Sequence, residues 1–208
     1  MAPEGRAGRA AVPVGWWLAL AIAVVFVVGA IGYFIGVRST ESEGELSAID
    51  VGFLQDMLDH HDQAVELALL ELANGEDPTA RDFAQEVIIF QRREIGIMER
   101  LLEEHGEGRG EVPRDAMSWM NMATPLTEMQ GMASPTQIDE LADARSADAD
   151  RLFLELMREH HLGGTHMADY AAGLGSNDRV RELALQIAEY QRIEVNEYTQ
   201  LMQRLGIE

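Results

Sequence analysis

The chain has 208 residues, with 36 acidic side chains against 16 basic ones and a formal net charge of −20. This charge argues against nucleic-acid binding, which needs a basic surface. The sequence contains no cysteine, which excludes disulfides, thiolate metal sites and cysteine nucleophiles. The length suits one domain with an appendage.

The first predicted element is a transmembrane helix over residues 14–37, which carry no charged side chain. About 20 apolar residues span a bilayer as a helix, whereas the apolar core of a cleaved signal peptide has about 7–15. Arg6 and Arg9 precede this stretch and acidic residues follow it. The positive-inside rule therefore predicts a single-pass protein of the cytoplasmic membrane, with residues 1–13 in the cytoplasm and the rest outside.

Residues 38–46 read as a short linker from the membrane to a first helical hairpin over residues 47–106. Ser47 and Asp50 have the spacing of a capping box and predict the start of its first helix. Pro78 suits the first turn of its second helix. Apolar residues recur along both segments at helical spacing, so each is predicted to be amphipathic.

Residues 107–145 form a connector that is rich in methionine, with five of the eleven methionines between Met117 and Met132. One interpretation is that these side chains fill gaps over the end of a bundle, since methionine packs adaptably. The other is a loop of soft ligands for monovalent copper, which favours thioethers.

The second hairpin, residues 146–208, repeats the first at an offset of 100 residues. The matching pairs include Phe53 and Phe153, Met57 and Met157, His60 and His160, His61 and His161, Gln91 and Gln191, and Glu94 and Glu194. A single amphipathic hairpin cannot bury its own apolar face. Two such hairpins predict an all-α fold, a four-helix bundle with pseudo-twofold symmetry.

Antiparallel pairing within the first hairpin places His60 and His61 level with Gln91 and at most one helical turn from Glu94. The second hairpin repeats this arrangement, so one layer of the bundle is predicted to hold four histidines, two glutamates and two glutamines. Met57 and Met157 flank this layer. Glu94 falls on an apolar stripe, where a carboxylate needs a partner because burying an unpaired charge is costly.

Two interpretations of the layer stay open. In the structural one, each histidine donates a hydrogen bond to a glutamate and the pairs fix helix register. In the functional one, the layer binds a transition metal, for which imidazole suits copper, iron, zinc or nickel. His166 is either a further ligand or a half-exposed polar residue. The candidate metal ligands are His60, His61, His160, His161, Glu94, Glu194, Met57, Met157 and His166.

Signatures of common enzyme classes do not occur in the sequence, including the nucleophile elbow, the phosphate loop and the Rossmann fingerprint. A ferritin-type di-iron site needs a glutamate three residues before each ligating histidine. Met57 and Met157 stand at that position, which favours a softer metal than iron. A redox enzyme that uses a bound metal is a third and weaker alternative.

The repeated motifs resemble those of the bacterial domain-of-unknown-function family 305. The resemblance lies in FLQDMLDHHDQAVELA with FQRREIGIM and in FLELMREHHLGGTHMADY with YQRIEV. It implies a ferritin-like four-helix bundle, often with a membrane anchor or signal, and a metal-binding role, because some relatives are associated with copper handling. Leu67, Gly164 and Tyr198 depart from the family pattern. The positions that match it are Met57, His60, His61, Gln91, Glu94, Met98, Met157, His160, His161, Met167, Gln191 and Glu194.

Together these observations predict a membrane-anchored, extracytoplasmic metal-binding protein rather than an enzyme. The expected ion is copper, held for sequestration or delivery, with another transition metal as an alternative. The expected partners are the metal ion and the membrane, with no nucleic acid. The competing prediction is a structural or protein-interaction module whose histidines and glutamates are hydrogen-bonded in the core without a metal.

Overall fold

The computed structural model describes residues 27–29 and 44–207. The helices that follow Gly44 are α1 (Ala48–Asn74), α2 (Pro78–Glu104), α3 (Pro135–Asp143), α4 (Ala147–Leu174) and α5 (Asp178–Leu205). The four long helices α1, α2, α4 and α5 form two hairpins, which confirms the predicted all-α bundle. The connector differs from the prediction because it contains two short antiparallel strands, β1 (Asp115–Ala116) and β2 (Thr124–Pro125).

The predicted membrane anchor, residues 14–37, lies outside the described residues except for 27–29. Over residues 27–29 and 44–207, no helix is both long enough and apolar enough to cross a membrane. The bundle belongs to a compact unit that begins at Gly44.

Side chains cap the starts of three long helices, among them the capping box predicted at Ser47 and Asp50. The Ser47 hydroxyl accepts a hydrogen bond from the Asp50 backbone N–H, and the Asp50 carboxylate accepts one from the Ser47 N–H at 2.8 Å. Asp77 caps α2 and Asn177 caps α5, each by accepting hydrogen bonds from two backbone N–H groups of the first turn. These caps satisfy donors that have no partner within a helix.

Two buried aspartates link the hairpins to each other. Asp50, in the first turn of α1, accepts a hydrogen bond from the backbone N–H of Ser176 at 3.1 Å, in the turn of the other hairpin. Its repeat counterpart Asp150 accepts one from the N–H of Glu76 at 2.9 Å. Burial acts to raise the pKa of Asp50, but the hydrogen bonds from Ser47 and Ser176 outweigh it and leave the pKa below its ordinary value. Each hairpin therefore holds the turn of the other with a charged acceptor.

The core consists of two apolar clusters with the histidines between them. On α1, Phe53 and Met57 belong to the first cluster, whereas Leu67 belongs to the second. On the antiparallel α4, the order is reversed, with Met157 in the second cluster and Met167 in the first. The histidine pairs fall between these positions on both helices, so the polar layer lies in the middle of the bundle.

The connector packs against the first cluster through three methionines. Met117, Met120 and Met129 are 1%, 5% and 1% exposed, as the packing interpretation expects. The buried carboxylate of Asp56 anchors this segment, because it accepts hydrogen bonds from the Met117 N–H and the Trp119 indole N–H, both at 2.7 Å. The connector is therefore fixed to α1 by a charged residue as well as by apolar contact.

Candidate metal centre

The centre of the layer is a contact between His60 of α1 and His160 of α4. Their ring centroids are 3.7 Å apart, and the ring planes are inclined by 35°. Both residues are fully buried. The pseudo-twofold relation between the hairpins therefore brings the first histidine of each pair together, at the point where α1 and α4 pack in the middle of the bundle.

The second histidine of each pair is bound to a glutamate of its own hairpin. The ring nitrogen Nε2 of His61 lies 2.8 Å from Glu94 Oε2, and that of His161 lies 2.9 Å from Glu194 Oε2. These contacts are those of the structural interpretation. They also match a common feature of metal sites, in which a ligating histidine donates its other N–H to a carboxylate that orients the ring.

Many polar atoms of the layer are buried without a hydrogen-bond partner. They are both ring nitrogens of His60 and of His160, Nδ1 of His61 and of His161, both side-chain amide atoms of Gln91 and of Gln191, and the Tyr198 hydroxyl. An unsatisfied buried polar group costs about 1–3 kcal/mol, so native proteins have few of them. This concentration of unpaired atoms at one level of the bundle provides several nitrogen and oxygen atoms that could bind a ligand.

The surroundings of His60 and His160 favour the neutral form of both imidazoles. Burial lowers the pKa of His60 well below its ordinary value, and the neighbouring rings of His61 and His161 lower it further. Burial likewise lowers the pKa of His160, with a further contribution from His60. Neutral imidazole is the form that ligates metals, because a protonated ring has no free lone pair.

The described side chains do not form a ready coordination shell. Among residues 27–29 and 44–207, no group of three or more histidine, aspartate or glutamate side chains is arranged to hold a metal ion. His60 and His160 stack against each other instead of pointing at a common centre. The imidazole nitrogens without hydrogen-bond partners are suitable metal ligands. For His60 and His160 to bind one ion, their rings would have to rotate out of the stack.

The methionines expected beside the layer are buried. Met57 and Met157 are fully buried one helical turn before the histidine pairs, and Met98 is fully buried on α2. The repeat counterpart of Met98 is Tyr198, whose ring centroid lies 5.4 Å from that of His161. Burial raises the pKa of Tyr198 well above its ordinary value. From the sequence, Tyr198 was identified only as a departure from the motif. Its equivalence to Met98 in the repeat was the signal that could have placed it beside the layer.

Gly164 of α4 gives the layer the space that it needs. A Cβ atom at this position would lie 2.3 Å from Gln191 Oε1 and 3.0 Å from Cε1 of His60. The alanine of the family pattern would require the Gln191 side chain and the His60 ring to shift, so glycine at this position permits their present close approach.

His166 does not join the layer. Its side chain is exposed, and Nδ1 lies 2.6 Å from Gln130 Oε1 in the connector. It shares a shallow surface cavity with Met117 and Met122. The structure therefore places His166 at the surface, apart from the histidine layer.

The fold and the layer together define a class of protein, a two-hairpin helical bundle with paired histidines at its centre. The model of the family described as a domain of unknown function, DUF305, matches residues 50–202, and the chain belongs to this family. A DUF305 protein from Streptomyces coelicolor is 29% identical with a TM-score of 0.71, over 77% of this chain and 95% of that one. A DUF305 fragment from Deinococcus radiodurans is 30% identical with a TM-score of 0.68, over 77% and 99%.

A third similar structure is that of a protein named CopM in its Cu(II)-bound form. It is 25% identical to this chain with a TM-score of 0.56, over 75% of this chain and 97% of that one. CopM has also been solved in Cu(I)-bound and silver-bound forms. The comparison with curated proteins found no match.

Proposed function

We propose that this protein binds a copper ion in the histidine layer and holds it for sequestration or delivery. The observation that carries the proposal is the set of orphaned ring nitrogens on His60, His61, His160 and His161, at one level between the two apolar clusters of the core. Imidazole suits copper, and nearby thioethers favour its monovalent form. Rotation of His60 and His160 out of their stack would aim two neutral donors at one ion.

Glu94 and Glu194 have an orienting role in this proposal. Each fixes the Nε2 side of one imidazole and leaves Nδ1 without a partner. A carboxylate in this position sets the tautomer and raises the basicity of the ring. Met57 and Met157 are the thioether donors nearest in sequence to the histidines.

The similarity to CopM supports metal binding by this chain but does not identify the metal. CopM binds copper and silver in the solved structures, and it shares the fold of this chain at 24–25% identity. We further propose that residues 14–37 anchor the bundle to the outer face of the cytoplasmic membrane, on the strength of their uncharged length and the arginines before them.

A second candidate function is that of a structural or protein-interaction module without a metal. The His61–Glu94 and His161–Glu194 hydrogen bonds favour it, because they satisfy part of the layer with protein groups alone. The orphaned nitrogens of His60 and His160 count against it.

Titration of the purified protein with Cu(I) against a chromophoric chelator separates the two functions. We expect one tightly bound ion per chain, and a loss of affinity of at least about 100-fold in His60→Ala/His160→Ala, because both neutral donors are removed. The control variant is His105→Ala/His166→Ala, which removes two histidines outside the layer and should bind as the wild type does. Circular dichroism checks that both variants remain helical. Equal binding by the wild type and by His60→Ala/His160→Ala would exclude the metal site.

A further inference from the structure

A groove runs between α2 and α5, on the side of the bundle where these two helices leave the layer partly open. Its volume is 580 Å³. The lining includes residues from both repeats at equivalent positions, namely Phe90 and Tyr190, Gln91 and Gln191, and Glu94 and Glu194. The groove therefore follows the pseudo-twofold symmetry of the layer beneath it.

The floor of the groove is in direct contact with the histidines. Glu94 and Glu194 line the groove and also bind His61 and His161, and their side chains are 14% and 18% exposed. These two carboxylates therefore contact both the groove and the buried imidazoles.

Two buried amides also line the groove without hydrogen-bond partners. Gln91 and Gln191 are 4% and 3% exposed, and neither their amide oxygens nor their amide nitrogens are bonded. Gln191 Oε1 lies beside His60, since a Cβ on Gly164 would approach both Gln191 Oε1 and His60 Cε1. Amide oxygens can replace part of the hydration shell of a cation, and Gln91 and Gln191 supply two of them in the lining of the groove.

The groove is also negatively charged. Glu86, Glu94, Glu194 and Glu197 line it together with one arginine, Arg93. Burial raises the pKa of Glu86, and the nearby charges of Glu197 and Glu194 raise it further. These carboxylates repel one another, and a cation in the groove would relieve that repulsion. A cleft lined by one sign of charge raises the local concentration of counter-ions and speeds their association.

We propose that this groove is the entrance through which a monovalent metal cation reaches the histidine layer. Glu86 and Glu197 attract the ion, and Gln91 and Gln191 replace its water on the way in. The inference rests on the proposed metal-binding function. It adds a route to that function and assigns roles to Glu86, Glu197, Gln91 and Gln191.

A cavity on the connector side of the bundle offers a rival route. It has a volume of 490 Å³, and Gly131, Glu140, Glu159 and Gly163 are among its lining residues. Backbone separates it from the layer, since a Cβ on Gly131 would lie 2.7 Å from the His160 carbonyl oxygen. The groove is favoured because its floor consists of side chains that reach the imidazoles.

The test is the rate of Ag⁺ uptake by the full chain in detergent, followed by stopped-flow protein fluorescence. Silver is used as a soft monovalent ion that needs no reductant. In Glu86→Gln/Glu197→Gln we expect uptake to slow by about fivefold or more at low salt, because the attracting charge is removed. The difference should shrink at high salt as the charges are screened. The affinity, measured by competition, should stay within about twofold of the wild type, since neither residue touches the layer.

The matched control is Glu140→Gln/Glu159→Gln, which removes the same charge from the connector-side cavity and should leave the rate unchanged. Slower uptake in this control alone would assign the entrance to the connector side and overturn the proposal. If Glu86→Gln/Glu197→Gln takes up silver at the wild-type rate, the groove is not the entrance, and the proposed metal site is unaffected by that result. An affinity that falls in proportion to the rate would make these carboxylates part of the site and not its entrance. If the wild type takes up no silver, both the entrance and the proposed function fail.

Discussion

Replacing His60 and His160 together with leucine is expected to make the metal-free protein more stable and unable to gain stability from metal. The two rings are fully buried and none of their four nitrogens makes a hydrogen bond of normal geometry. Exchanging unsatisfied polar groups for apolar groups of similar size is neutral or stabilising. We expect the free energy of unfolding without metal to rise by about 2 kcal/mol in His60→Leu/His160→Leu.

The order of stability should reverse when copper is added. A ligand at about 100 times its Kd stabilises the folded state by about 2.7 kcal/mol, and only the wild type should gain this increment. Chemical unfolding with and without Cu(I) measures both effects. The control His61→Leu/His161→Leu should be less stable than the wild type without metal, because it leaves Glu94 and Glu194 without their partners. If His60→Leu/His160→Leu were the less stable protein without metal, the central pair would be a structural element.

Glu71 should lower the stability of the fold as the pH rises from 5 to 8, against the rise that the buried His60 and His160 cause over the same range. This residue of α1 is fully buried, and neither carboxyl oxygen has a hydrogen-bond donor. Burial raises the pKa of Glu71 to about 8, and the adjacent Asp150 adds to the shift while Arg81 opposes it. Because the folded pKa lies above the unfolded one, the stability that the protonated group confers is complete below about pH 4.5. It is lost as the pH rises through about 8.

The variant Glu71→Gln should remove this dependence. One pKa unit corresponds to about 1.4 kcal/mol, so the stability of the wild type relative to the variant should fall by about 3–4 kcal/mol between pH 5 and pH 8. Unfolding by urea at several pH values gives the difference, in which the contributions of the histidines cancel. Glu66→Gln, an exposed change on the same helix, should follow the wild type. Parallel curves for the wild type and Glu71→Gln would show that Glu71 is ionised in the fold at all these pH values.

The bundle could be predicted because its signals are periodic and repeated. Helical spacing identifies the long helices, and the offset of 100 residues pairs His60 with His160 before any contact is known. Antiparallel register then places each second histidine near a glutamate, and the structure contains both the His61–Glu94 and His161–Glu194 contacts.

Other features could not be predicted because they depend on contacts between elements far apart in sequence. Asp50 looks only like a capping residue, yet it also binds the turn at Ser176. Asp56 sits on a helix like many other acidic residues, and only the fold shows that it holds the connector. The stacking of His60 on His160 depends on ring rotations that no sequence pattern fixes.

The most direct test of a metal centre in the histidine layer is the position of copper in a crystal of the loaded protein, measured by anomalous scattering at the copper edge. We expect one dominant peak within about 2 Å of a ring nitrogen of both His60 and His160, since imidazole ligands lie at about that distance from a bound ion. The two rings should be rotated out of the stack seen here. A fully loaded protein with its peak only at the surface beside Met122 and His166, or with none in the layer, would contradict the account.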